Sequence, residues 1–138
     1  MPIAGFGFNK IFAEKHEAVA GQVKVDLKID FKDIKKEEIK IQEQEAVRIS
    51  FNFSITYTPK IAEIAIEGEL LFLEDPKVIK TIVDKWKDKK LDESVQQGIF
   101  NFILSKCTIK ALTIEEELGI PLHMPFPRVK EVKEKEKK

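Results

Sequence analysis

Residues 23–32 read VKVDLKIDFK and residues 46–58 read AVRISFNFSITYT. In both stretches apolar and polar residues alternate with period two. Successive side chains of a β-strand point to opposite faces, so each stretch has one apolar side and one polar side. A helix would scatter the same apolar residues around its circumference. The apolar side carries Val23, Val25, Leu27, Ile29 and Phe31 in the first stretch, and Val47, Ile49, Phe51, Phe53, Ile55 and Tyr57 in the second. The polar side is charged in the first and mostly uncharged in the second, with Arg48, Ser50, Asn52, Ser54 and Thr56.

Two weaker strands extend the pattern outward. Residues 61–73 place Ile64, Ile66, Leu70 and Phe72 on one parity and Glu63, Glu67 and Glu69 on the other, with Gly68 marking a bulge or bend. The short link Thr58-Pro59-Lys60 makes this strand antiparallel to its predecessor. Upstream, a strand is expected over Phe6 to Val19. Phe6, Phe8 and Phe12 alternate, Ile11 breaks the alternation, and a bulge near Asn9-Lys10 would restore it. Gly21-Gln22 reads as a turn, and the charged run Asp33 to Glu38 as a break containing a helical turn.

A sheet with one apolar face needs a cover. Glu74-Asp75-Pro76 is a helix start, followed by Ile79, Ile82, Val83 and Trp86 at helical spacing. A second helix begins at Asp92 or Ser94, with a face through Val95, Ile99, Phe102 or Ile103, Cys107, Ala111, Ile114 and Leu118. Thr113 and Glu116 could form a capping box that divides it, but one long helix ending at Gly119 is the preferred reading. The expected class is α+β: a four-stranded antiparallel sheet covered by a short and a long C-terminal helix. Residues 1–129 are expected to form a single domain. The segment Arg128 to Lys138, with six basic and three acidic residues, reads as a solvated tail, flexible over 130–138. Between helix and tail, IPLHMPFP alternates Leu122, Met124 and Phe126 and is more apolar than a surface loop.

The composition narrows the chemistry. Among 138 residues, 24 basic side chains balance 24 acidic ones, which disfavours nucleic acid as a partner. A single cysteine, Cys107, excludes an internal disulfide and a Cys-rich zinc site, and its place on the helix face marks it as a small buried hydrophobe. No apolar run is long enough for membrane insertion, and the opening MPIAGFGF has neither a basic region nor a long apolar core. Cytoplasmic residence is the expectation. The dominance of Lys, Glu and Ile resembles proteins of thermophiles. No phosphate-binding loop occurs, and His16 and His123 belong to no ligand-spaced cluster. Glu63/Glu67 and Glu115 to Glu117 read as solvated faces. No catalytic, cofactor-binding or metal-binding residue is expected, and the chain is not expected to be an enzyme.

The order of elements, with the strand Val47–Tyr57, its return Ile61–Phe72, the long helix Ser94–Leu118 and the ending Ile120 to Phe126, resembles the SecB-like export-chaperone fold family. The resemblance implies ATP-independent binding of non-native or extended polypeptides in apolar grooves between sheet and helices, and assembly into a homodimer or homotetramer. By the same resemblance Phe102, Leu122, Met124 and Phe126 are polypeptide-binding candidates, with Trp86 a further one. The lysine-rich tail departs from the acidic character of the export family, although Glu63, Glu67 and Glu69 could offer an acidic sheet face. The alternative is a non-enzymatic adaptor that binds one folded protein partner.

Overall fold

The computed structural model describes residues 3–16 and 21–124. Four strands, β1 (Ile3–Lys15), β2 (Lys24–Ile41), β3 (Gln44–Thr58) and β4 (Ala62–Glu74), precede two helices, α1 (Pro76–Trp86) and α2 (Glu93–Leu118). The sheet is antiparallel throughout, in the order β1-β4-β3-β2. Consecutive hairpins join β2, β3 and β4, and β1 lies beside β4 at the far edge. The expected α+β architecture is the one found. Phe126 and the charged tail lie outside the described residues.

The alternation seen in the sequence becomes the two faces of the sheet. Val47, Ile49, Phe51, Phe53, Ile55 and Tyr57 of β3 and Ile64, Ile66, Leu70 and Phe72 of β4 are buried. Against them pack Ile79 and Ile82 of α1, and Ile99, Ile103, Cys107, Ala111 and Ile114 of α2. The spacing of that second set, three or four residues apart, is the single stripe read from the sequence. Asp75 caps α1 by accepting the N–H of Lys77, with Pro76 in the first turn. Gly119, at φ 70°, closes α2, so the helix is continuous through Thr113 and Glu116.

Of four register shifts in the sheet, two decide which side chains face inward. One falls between Phe8 and Lys10, as the break at Ile11 implied. Ile11 then pairs with Ile66 on the helix-covered side, and Phe12 turns to the open side opposite Ala65. The other falls between Phe31 and Asp33 and corrects an expectation: the charged run Asp33 to Glu38 is part of β2, with no helical turn. The bulge switches parity, so that buried Ile34 takes over the inward side from Phe31. Asp33 stabilises the irregular backbone by accepting the N–H of Ile34 at 2.9 Å. A charged residue at a bulge looks like a broken strand because its neighbours no longer alternate. The first strand also stops at Lys15; the rest of the expected span, after His16, lies outside the described residues.

On the open face, Arg48 bridges Glu37 at 2.8 Å and Glu69 at 2.9 Å. The hydrogen bond from Arg48, with its charge and that of Lys35, holds the Glu37 carboxyl below its ordinary value despite a smaller opposing effect of desolvation. The expected acidic character of this face is therefore partly neutralised, since Lys32 also reaches Glu67 at 3.4 Å.

Gly68 is the tightest point of the sheet. A Cβ there would lie 2.5 Å from the carbonyl oxygen of Gly7 and 2.8 Å from a ring carbon of Phe51. The space of the missing side chain is occupied by Phe51, on which Phe6 stacks with ring centroids 5.7 Å apart. Gly68→Ala is expected to destabilise the fold by about 1–3 kcal/mol, the usual range for overpacking. Urea unfolding measures this directly, and an unchanged midpoint would contradict the packing described.

Candidate polypeptide-binding groove

Helix α2 lies over the middle of the sheet and leaves its two flanks different. On the β1 side, Phe102 meets Phe6 edge to face at 5.5 Å, and Phe6 meets Phe8 in the same way at 5.3 Å. Lys106 lies over the other part of the Phe102 ring, 5.6 Å from its centroid. Phe102 is thus half-buried in the margin of the core.

On the β2 side the flank is a trough. Leu27, Ile29 and Phe31 form its strand wall, and Gln96, Phe100, Leu104 and Thr108, each four residues apart on α2, form its helix wall. Two cavities lie in line along it. One of about 360 Å³ is bounded by Ile29, Phe31, Phe100, Trp86, Leu91 and Lys89. The other, of about 430 Å³, is bounded by Leu27, Asn101, Leu104, Thr108, His123 and Met124. Leu27 to Phe31 spans roughly 13 Å of strand, and Gln96 to Thr108 about 18 Å of helix. Leu27, Leu104 and Met124 are each 37–42% exposed, a local excess of accessible apolar side chains.

Each end of the trough is fixed by polar contacts. At one end the indole N–H of Trp86 donates to the Asp33 carboxylate at 3.4 Å, and its ring meets Phe31 edge to face at 6.3 Å. Asp33 thereby links the β2 bulge to the last turn of α1. At the other end Tyr57, wholly buried, donates its hydroxyl to the carbonyl of Pro121 at 2.6 Å. Glu115, also wholly buried, accepts the backbone N–H of His123 at 3.1 Å through one oxygen. Its other oxygen lies 2.7 Å from Nδ1 of the His123 ring. Burial first, and then the nearby Glu115 carboxylate, push the Tyr57 phenol well above its ordinary value. These contacts hold Pro121 to Met124 across the end of α2.

Of the residues expected to bind polypeptide, Trp86 and Met124 line the two ends of this trough. Leu122 is exposed and is not part of either cavity's lining. Phe102 lies on the opposite flank, apart from them. Phe126 is outside the described residues. Leu27, Phe100 and Leu104 were not singled out from the sequence; only the pairing of β2 against α2 shows that they share a wall. Glu115 was expected on a solvated face, and His123 was given no partner. The structure corrects both, since neither residue's partner can be read from local spacing.

Elsewhere, His16 lies 3.2 Å from Glu63 and 4.0 Å from Glu14 at the end of β1. These three exposed side chains are close enough to share an ion, although the two carboxylates flank different ring nitrogens. Among the described residues no helix is long and apolar enough to cross a membrane.

Comparison with known proteins adds one result. No family model matches the chain, and no curated protein sequence does. Among solved structures the chain is similar to the Mycobacterium tuberculosis Rv1957 SecB-like chaperone, in complex with a ChAD peptide from the Rv1956 HigA1 antitoxin. The similarity covers 91% of this chain and 88% of that one, at 16% identity and a TM-score of 0.55. The fold of this chain is SecB-like.

The single thiol plays no part in the trough. Cys107 is buried against the sheet, and burial pushes it up to about 12 from an ordinary value near 9. In the native protein at pH 8 a thiol reagent should therefore label it on the order of a hundredfold more slowly than in urea, following global opening. A thiol kept neutral by folding contributes its full stabilisation below pH 9 and loses it as pH rises towards 12. Rapid labelling of the folded protein would contradict this placement.

Proposed function

We propose that the protein binds extended, non-native polypeptide segments along the trough between β2 and α2, without nucleotide or cofactor and without enzymatic chemistry. The observation that carries the reading is the trough itself: an open channel whose second cavity is strongly apolar, with Leu27, Leu104 and Met124 accessible along it. Shallow apolar contacts tolerate many side chains, and methionine adapts its shape to varied partners. The polar neighbours Asn101 and Thr108 on the helix wall suit the backbone groups of an extended chain. The SecB-like fold supports the same reading, because the neighbour of known structure is a chaperone holding a peptide. Cytoplasmic residence accords with such a role.

Self-assembly belongs to the same proposal. The two sheet edges differ in how they resist pairing. The β2 edge carries Lys24, Lys28, Lys32, Lys35 and Lys36 and two irregularities, which discourage strand addition. The β1 edge carries Gly5 and Gly7 and exposes Phe8, Ile11 and Phe12, each 38–42% accessible. An edge of that kind is covered by a second copy, giving a homodimer or homotetramer.

Leu104→Asp and Met124→Asp are each expected to weaken binding by about 1.5–3 kcal/mol, the worth of one large apolar contact. Both side chains are accessible, so folding stability should change by less than about 0.5 kcal/mol. Fluorescence anisotropy with a labelled, reduced and carboxymethylated protein measures the affinity. Unchanged affinity, or no affinity in the native protein, would count against the trough; capture of one folded partner alone would favour an adaptor. For assembly, sedimentation equilibrium should show more than the 15.9 kDa monomer. Ile11→Lys should shift the population towards monomer, and a native monomer at high concentration would refute that part.

A further inference from the structure

One corner of the open sheet face is charged differently from the rest. Elsewhere on that face Glu37 and Glu69 are met by Arg48, and Glu67 by Lys32. Glu14 of β1 and Glu63 of β4 are direct cross-strand partners, and like charges placed opposite each other repel. Among the described residues, the imidazole of His16 is the one basic side chain within 4.0 Å of either carboxylate. His16 stands two residues beyond Glu14 and so shares its face. Its backbone N–H donates to the Ile61 carbonyl at 2.8 Å, which carries the pairing of β1 with β4 past Lys15. Paired strands therefore deliver all three side chains. Local spacing hides the group, because Glu63 lies 47 residues from His16.

We propose that Glu14, His16 and Glu63 bind one divalent cation of the zinc type, which ties the end of β1 to β4. One donor atom from each residue lies within 4.8 Å of the other two. Nε2 of His16 and Oε2 of Glu63 are 3.2 Å apart, close to the spacing of neighbouring ligands around zinc when the bonds are about 2.0–2.2 Å. Glu14 faces Nδ1 at 4.0 Å and completes the set by swinging to the Nε2 side of the ring, a movement open to a side chain that is 55% exposed. The cation displaces any proton held on Nε2, and repulsion between the two carboxylates gives way to attraction by a shared positive charge. A nitrogen donor beside two carboxylates selects zinc, cobalt or nickel over magnesium and calcium, which take oxygen ligands. His16 and Glu63 also line an open cavity of about 580 Å³ with Thr56, Thr58 and Lys60, so water reaches the remaining coordination positions. The site is on the opposite face of the sheet from the trough and does not depend on the trough's function.

The test is calorimetric titration of the full chain, first freed of metal with EDTA, by zinc chloride. One site of micromolar affinity is expected, and a large excess of magnesium should not displace the zinc. His16→Gln should weaken binding about a hundredfold, and Glu14→Gln and Glu63→Gln each about tenfold. All three side chains are exposed, so circular dichroism should show the variants folded as the native protein is. Zinc at about a hundred times its dissociation constant should raise the native thermal midpoint by about 5 °C, and that of His16→Gln by less than about 1 °C. Without metal, Glu14→Gln should melt no lower than the native protein, because it loses the cross-strand repulsion. Absence of zinc binding overturns the proposal, as does an affinity that stays within about twofold in all three variants. A midpoint shift in His16→Gln as large as in the native protein, or displacement of zinc by magnesium at equal concentration, overturns it equally.

Discussion

The controlling constraint is a mismatch of widths. Four strands about 4.8 Å apart give a sheet roughly 14 Å across between its outer axes, before side chains are counted. One helix with its side chains is about 10–12 Å wide. Helix α2 can therefore seal only the middle of the apolar face. Beneath it Phe51, Phe53, Ile64 and Ile66 are fully buried, while Leu27 on one edge strand and Phe8 and Ile11 on the other remain accessible. The short helix α1 supplies further cover at one end only, through Ile79 and Ile82. The exposed apolar flanks follow from this geometry, and each flank has to be covered by something else or left open.

The two flanks meet that demand differently. Phe6 closes part of the β1 side by lying between Phe51 and Phe102, and Phe8 and Ile11 stay accessible beyond it. On the β2 side Phe100 reaches Phe31 at a centroid distance of 4.7 Å, but Leu27 and Leu104 are left on either side of a cavity. Across the β2 flank the rings of Phe31 and Phe100 touch, with a cavity beside them, whereas Leu27 and Leu104 lie either side of open space. Gly68 contributes from the sheet side, because only an absent side chain lets the Phe51 ring reach across β4 to meet Phe6.

Much of this was legible in the sequence, and the failures share a cause. The strands Val47–Tyr57 and 61–73, the bulge near Asn9, and the buried stripe Ile99, Ile103, Cys107, Ala111 and Ile114 all depend on local periodicity. The β2 bulge was misread because Asp33 lies where the parity changes, and a local window treats a parity change as an ending. Trp86 and Met124 entered the set of candidates through the resemblance to the SecB-like fold family. Their companions Leu27, Phe100 and Leu104 did not, because membership of a shared wall depends on which strand α2 lies over. Glu115 and His123 were harder still: an acidic residue among acidic neighbours carries no local sign that its own side chain is buried.

That buried pair also explains how an irregular ending can hold a shape. The segment Ile120 to Met124 has few backbone partners of its own among the described residues, and Pro121 has no N–H to donate. Its order comes from side chains of other elements: Tyr57 of β3 holds the Pro121 carbonyl, and Glu115 of α2 holds His123 by both backbone and ring. Each of these groups is removed from water to make its contact, which is favourable only if the partners stay in register. A helix end tied in this way to the middle of the sheet cannot slide along it. The lower wall of the trough, including Met124, therefore keeps its distance from Leu27, and the cavity between them persists as part of the fold.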